Sequence, residues 1–372
     1  MNDFYVNILN DLVSFKSISP NDDGAIDYCE QLLSNLGFEC TKLCFDGVHN
    51  LYSKIGNFNK NLCFAGHIDV VPPLNGWSHD PFVLFEDEAR FYGRGTNDMK
   101  GPFAACFAAV SEFLALERSL KFSISFLITS DEELMGENGT KKVVEFMKNK
   151  GERITGCILC ESCSPKESGE YIKIGCRGSL NVDLESTSTQ CHIVNSGKFG
   201  NHIHNFIEIL NFFANYNFDY VNENFTKTNL EITSIDIGNS TRNIIPAAAT
   251  AKLNIRFNDL WTFEKLENFI ESKLYDCASA SFQRFYDPFV CANERFIKFL
   301  SNSIEKTIGK TPDTGTAGGN SDAIFIRELA DVVEIGSPIE NAHIVDEYIT
   351  KKDVIKLRKI YLGILIGFNC YL

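Results

Sequence analysis

Apolar positions in the first half of the chain follow two alternating rhythms. Phe4, Ile8 and Leu12 recur at helical spacing, and a second helix is predicted through YCEQLLSNLG, closed by Gly37 as a C-cap. Short apolar runs follow at NLCFAGH, FSISFLIT and GCILCE. Between the first two lies an Ala-rich helix, PFAACFAAVSEFLAL, with a proline at its start. Strands separated by helices predict an α/β sheet with parallel pairing. In such sheets ligands gather beyond the C-terminal strand ends, and His67, the acids after FLITS and Glu161 all fall where an apolar strand pattern stops.

From about Arg177 the rhythm changes. SLNVDLEST, LEITSIDIG and AATAKLNIRF read as strands, with helical stretches near HNFIEILNFF and FEKLENFIESKL. After DPFV the α/β pattern resumes and ends in a long helix from about Lys351 to Gly367. The predicted fold class is therefore an α/β domain with a mixed, largely parallel sheet over 1–177 and 284–372, carrying an inserted α+β domain over 178–283. No internal repeat is visible, and the Asn-rich tract over 211–229 is biased in composition without being of low complexity.

A chain of 372 residues fits two domains, and 44% hydrophobic with 23% charged residues excludes disorder and coiled coil. The net charge of −14, with no Lys/Arg cluster, argues against nucleic acid or an anionic membrane as partner and leaves small molecules. The N-terminus, MNDFYVNILNDLVSF, lacks a basic n-region before an apolar core, and no run reaches the roughly 18 apolar residues of a membrane span. Thirteen cysteines form an odd number in a long chain with no sign of export, which points to the cytoplasm and away from a disulfide framework. Cys157, Cys160 and Cys163 could suggest thiolate ligands, but the first two sit in an apolar strand pattern and no fourth partner is suitably spaced.

FAGHIDVVP ends a strand with His67 and Asp69 two apart, hence on one face, and a metal-binding histidine needs an acceptor for its other ring N–H. YGRGTNDMKG places Asp98 in a Gly-rich loop before the Ala-rich helix. It matches neither a P-loop nor a dinucleotide fingerprint, and an acid there can bridge two cations. FLITSDEEL runs into Asp131, Glu132 and Glu133, carboxylates that repel one another unless cations or protons intervene. Glu161 follows GCILC, and His343 lies in GSPIENAHIVDE. Together these acids and histidines make a hard O/N ligand set suited to zinc, cobalt or manganese.

In these segments the chain resembles the co-catalytic di-zinc metallopeptidases and deacylases, a family that includes aminoacylases, acetylornithine deacetylases, glutamate carboxypeptidases and succinyl-diaminopimelate desuccinylases. The resemblance runs through GHIDVVP, YGRGTNDMKG, TSDEE, CES, RGSLNVDL, RNIIP, LNIRF, GGNSDAIFI and AHIVDE in family order, and GHIDVVPP with RGTNDMKG is most similar to the bacterial desuccinylase branch. It implies two Zn2+ per subunit, replaceable by Co2+ or Mn2+, with His67 and Glu161 on one metal, Glu133 and His343 on the other, and Asp98 bridging. It further implies Glu132 as general base, Asp69 orienting His67, and a lid and dimerisation domain over 178–283 of a homodimer. His192 of that lid would polarise the scissile carbonyl across the dimer, with His202 and His204 as nearby alternatives. Arg177, Asn243, Arg256 and Asn320 would contact substrate.

Two departures from the family pattern stand out: Cys191 and Ser196 replace a glycine and a proline around His192, and Gly318-Gly319-Asn320-Ser321-Asp322 replaces Gly-Gly-Thr-Ser-Asp. The implied reaction is hydrolysis of N-succinyl-L,L-2,6-diaminopimelate to succinate and L,L-diaminopimelate. Acetylornithine deacetylase, dipeptidase or carboxypeptidase activity is the alternative, as is a non-catalytic binding protein on the same fold.

Overall fold

The computed structural model describes residues 4–117, 119–134 and 136–371. The chain divides into two compact units, one comprising Met1–Gly175 with Cys291–Leu372 and the other Cys176–Val290. The second unit is somewhat wider than the span 178–283 expected from the change of rhythm.

The larger unit is built on an eight-stranded sheet. From edge to edge its strands run Glu39–Phe45, Val48–Ile55, Ser123–Thr129, Asn61–His67, Gly156–Leu159, Val332–Glu334, Tyr171–Lys173 and Asp313–Gly315. The four strands from Ser123–Thr129 to Val332–Glu334 are mutually parallel, and pairs such as His67 with Thr129 and Ala65 with Leu159 set their register. Every residue of Asn61–His67 and Ser123–Thr129 is buried, as expected of parallel strands covered on both faces. Their polar residues are bonded inside the sheet: Ser125 Oγ donates to Asn61 Oδ1 at 3.0 Å and Thr129 Oγ1 to Asn50 Oδ1 at 2.7 Å.

The Ala-rich segment forms helix Lys100–Leu116, apolar on nearly every side and packed against Phe4–Ser14 and Lys351–Phe368. Gly66 lets this helix approach the strand before His67, since a Cβ there would collide with Met99 and Phe103. Lys351–Phe368 begins at Thr350, whose hydroxyl oxygen accepts the Asp353 N–H at 3.0 Å, a side-chain N-cap. No described helix is long and apolar enough to cross a membrane.

The smaller unit is a four-stranded antiparallel sheet in the order Asn229–Asp236, Ala248–Phe257, Gly178–Thr187, Ala278–Tyr286. Leu180, Val182 and Leu184 alternate with polar residues and join Leu253 and Ile255 in one core. Helices His202–Asn215 and Phe263–Glu271 supply Phe206, Phe213, Leu266 and Ile270 to the same core. Each such side chain contributes roughly 1.5–3 kcal/mol by leaving water.

Candidate metal centre

The parallel strands deliver their next residues to one end of the larger unit. His67 closes the first, Glu132 and Glu133 follow the turn after Thr129, Glu161 follows Leu159 by two, and His343 lies in the connection after Glu334. Asp98 reaches the same place from the Gly-rich loop before Lys100–Leu116. Its carboxylate faces both ways: Oδ1 lies 3.3 Å from His67 Nε2, and Oδ2 lies 3.3 Å from His343 Nε2. His67 Nε2 is also 3.8 Å from Glu132 Oε2 and 3.6 Å from Glu161 Oε2, while His343 Nε2 is 2.9 Å from Glu133 Oε1.

His67 Nδ1 lies 2.9 Å from the backbone carbonyl of Asp69, which places the proton on Nδ1 and leaves Nε2 for the cluster. The Asp69 carboxylate is farther, at 3.6 Å, and its oxygens accept the backbone N–H groups of Glu132 at 3.4 Å and Glu133 at 3.1 Å. Asp69 thus meets His67 through its carbonyl and the acidic turn through its side chain. His343 takes φ +62, the left-handed region that β-carbon sterics disfavour, and such conformations concentrate at functional sites.

The acids and histidines here hold protons against one another. Burial opposes charge on His67, but hydrogen bonds to Asp69 and Asp98 and the charges of Glu132 and Glu161 outweigh it, so its pKa lies well above the ordinary value. Hydrogen bonds to the carboxylates of Asp98 and Glu133 push His343 up to about 10. Asp98 is lowered: burial works against its charge, but the bonds from His343 and His67 prevail. Burial raises Glu132, helped by Asp322, Glu133 and Asp98 against the charge of His67. It also raises Glu161, where Asp98 adds to the effect.

These residues fit divalent cations. In the groups His67–Asp98–Glu161 and Asp98–Glu133–His343, one ligand atom per residue lies within 4.8 Å of the others, and the two groups share Asp98. His67–Glu132–Glu133 satisfies the same criterion. Glu161 Oε2 is buried with no hydrogen-bond partner, an orphan acceptor that a cation would satisfy. Cys157, Cys160 and Cys163 are buried free thiols, and no thiolate cluster of metal-binding geometry occurs among the described residues.

Several residues of this site carry no signal that sequence reading caught. Glu347 is fully buried, paired with Arg94 at 2.7 Å, and accepts backbone N–H groups of the Asp98 loop. Asn97 Nδ2 ties that loop to the Pro338 carbonyl at 2.8 Å. Asp322, buried and raised to about 7 by desolvation, accepts the Thr140 hydroxyl at 2.6 Å. Asn320, by contrast, is a candidate from the sequence, and it is half-buried in the Gly-rich loop whose Gly319 carbonyl accepts from Lys173 Nζ at 2.7 Å.

The remaining sequence-derived candidates lie in the smaller unit. His192 is exposed, and its Nε2 is 3.4 Å from Asn243 Nδ2, so these two candidates are brought together. His202 is buried with both ring nitrogens engaged, by the Ser186 hydroxyl at 2.8 Å and the Pro246 carbonyl at 3.0 Å. His204 is exposed beside Asn201, the N-cap of His202–Asn215.

Arg177 and Arg256 are hydrogen-bonded to neutral partners. Arg177 donates to the Lys227 carbonyl and Asn229 Oδ1, and Arg256 to Asn254 Oδ1 and the Tyr286 hydroxyl. Burial lowers both guanidinium pKa values, and the charge of Arg177 lowers Arg256 further.

Known proteins resemble this chain over most of its length. The model of peptidase family M20/M25/M40 matches residues 63–366. The succinyl-diaminopimelate desuccinylase of Wolbachia pipientis subsp. Culex pipiens (strain wPip) is 40% identical over 96% of this chain and 91% of its own. That of Rickettsia felis is 37% identical over 97% of this chain and 99% of its own. Among solved structures, a tripeptidase from Staphylococcus aureus superposes with a TM-score of 0.81 at 17% identity, covering 100% of this chain and 99% of that one. An M20 family metallo-carboxypeptidase from Sulfolobus solfataricus gives 0.79 at 20% identity, covering 98% and 99%. The chain belongs to peptidase family M20/M25/M40.

Proposed function

We propose that the protein is a metal-dependent amidohydrolase that converts N-succinyl-L,L-2,6-diaminopimelate to succinate and L,L-diaminopimelate, with two zinc ions per subunit that cobalt or manganese can replace. The observation that carries this reading is the double-facing carboxylate of Asp98, one oxygen toward His67 and the other toward His343, with an acid on each side. The acyl group is argued from the desuccinylases that share 37% and 40% identity over nearly all of this chain.

His67 and Glu161 would hold one cation, Glu133 and His343 the other, with Asp98 common to both. Cations bound there supply Lewis acidity toward an amide carbonyl and a lowered pKa for water. Glu132 takes the proton of the attacking water at its carboxylate and returns it to the departing amine nitrogen. Asp69 fixes the turn that carries Glu132 by accepting its backbone N–H.

His192 donates to the oxyanion. Its exposed ring beside Asn243 supports that role, whereas His202 has both ring nitrogens occupied. Arg177 and Arg256, whose guanidiniums suit forked recognition of a carboxylate, bind the substrate carboxylates with Asn243 and Asn320.

The protein works as a cytoplasmic homodimer in which the smaller unit supplies the interface. Exposed apolar side chains on helix His202–Asn215, Ile207 and Phe212, and Val194 and Phe199 before it, support that role.

A panel of N-succinyl, N-acetyl and dipeptide substrates, assayed with zinc or cobalt, tests the reading. The highest kcat/KM is expected for N-succinyl-L,L-diaminopimelate. A preference for acetylornithine or a dipeptide would replace the substrate, and no bound zinc even after zinc loading, with no hydrolysis of any of them, would favour a non-catalytic binding protein.

A further inference from the structure

Among the loops that carry ligand-type residues are Gly93–Met99, which bears Asp98, and the connection that bears His343. Both converge on one side chain. Glu347 is 0% exposed, and its two oxygens are fully used. Oε2 accepts from Arg94 NH1 at 2.7 Å and from the Gly95 N–H at 3.0 Å. Oε1 accepts the N–H groups of Asn97 at 2.9 Å and Asp98 at 3.1 Å. The backbone carbonyl of Glu347 accepts from the Gly93 N–H at 3.0 Å and the Thr96 hydroxyl at 3.3 Å. Arg94, equally buried, also reaches the Ile344 carbonyl at 3.4 Å, one residue past His343.

A buried carboxylate is costly unless charge and hydrogen bonds compensate it, and four donors compensate this one. Three of them are main-chain groups of the loop that presents Asp98. The backbone of Asp98 is therefore fixed by a residue four positions beyond His343. We infer that Glu347 is a positioning residue for the metal centre: it sets where Asp98 stands relative to His343, and hence whether one carboxylate can serve both cations. The inference rests on the di-metal reading above and gives Glu347 no contact with substrate or cation.

The chemistry of the side chain defines the test. Glu347→Gln keeps the shape but turns one acceptor into an N–H2 group, which then faces either the Gly95 and Arg94 donors or those of Asn97 and Asp98. Glu347→Asp keeps both acceptors and the charge on a shorter stem. Glu334→Gln is the matched control, because Glu334 is also a buried carboxylate, paired with Lys173 at 2.9 Å and bonded to the Ser321 hydroxyl, but it braces the Asn320 loop.

Metal-free proteins would be titrated with zinc by calorimetry and with cobalt by its visible absorption, with folding followed by circular dichroism. Glu347→Gln and Glu347→Asp should bind both cations about 10- to 100-fold more weakly and shift the cobalt spectrum, as loss of a residue that orients ligands does. Glu334→Gln should bind them within about twofold of the parent even if it melts earlier. If Glu347→Gln does not fold, the result rests on Glu347→Asp. Parental affinity and spectrum in a folded Glu347 variant would overturn the inference, as would an equal loss in Glu334→Gln. Failure of the parent itself to bind cations would instead overturn the di-metal reading.

Discussion

His67 and His343 offer the same ring atom to the same carboxylate, yet they are held by different means. His67 is 1% exposed and ends a strand paired on both sides, so the sheet ladder fixes it before any side chain does. His343 has a side chain 47% exposed, a left-handed backbone and no strand beneath it. Its position depends on the connection around it, whose neighbours Ile344 and Glu347 are bonded to the Asp98 loop. One half of the site is thus built by regular structure and the other by buried polar contacts between loops. The second kind of support fails sooner, since losing one acceptor leaves several buried donors unpaired.

The strongest way to break the comparison is to remove the residue common to both halves. Asp98→Ala should weaken both cations and cost about 10⁴-fold or more in turnover, several kcal/mol of transition-state stabilisation. His343→Ala should weaken one cation more than the other. Equal loss of a single cation in both variants, read by metal analysis and titration, would remove Asp98 from its bridging place.

Glu132→Gln should lower turnover by about 10²- to 10⁴-fold while keeping the metal content of the parent. Loss of metal, or retention of most activity, would show that Glu132 is a ligand or a bystander.

A residue of the smaller unit gives the next effect. His192→Ala should reduce turnover by about 10²- to 10³-fold with metal content intact. Mixed with Glu132→Gln under conditions of subunit exchange, it should regain part of the activity, because one cleft then has both an intact base and an intact histidine from its neighbour. Demonstrated heterodimers without recovery would reject donation across an interface.

The smallest effect is the pH dependence of the loop half. His343 is raised from an ordinary 6.5 to about 10 by Asp98 and Glu133, so in the metal-free protein its contribution to stability is complete below about 6.5 and is lost as pH rises through about 10. A cation entering the site in that window must displace the proton, so apparent affinity should rise with pH between these limits. Affinity that stays flat across the window, or falls, would contradict the proton-held cluster.

What could be read from the sequence follows the same division. His67, Glu132, Glu133 and Glu161 announce themselves because apolar strand patterns stop just before them, and the strand Ala248–Phe257 matches its segment residue for residue. Glu347 escaped because VDE reads as a short acidic turn, and nothing local reveals that Arg94, far away in sequence, lies against it. Asp69 was legible as a neighbour of His67, but not as the acceptor for the acidic turn, a contact that exists only once two parallel strands lie side by side. His202, a nearby alternative to His192 in the sequence, is set apart only because folding places Ser186 and Pro246 around its ring. The edges of the smaller unit, 176 and 290 in place of 178 and 283, moved because the strand Ala278–Tyr286 runs past Gln283 and the chain returns only after Val290.

The central claim is that His67, Asp98, Glu132, Glu133, Glu161 and His343 form a two-cation amidohydrolase site, and a titration of metal-free protein with zinc tests it most directly. Release of succinate from N-succinyl-L,L-diaminopimelate should be absent without metal, grow with added zinc and level off at about two equivalents per chain. Undiminished hydrolysis in rigorously metal-free protein, or a plateau of bound zinc near zero, would contradict the account.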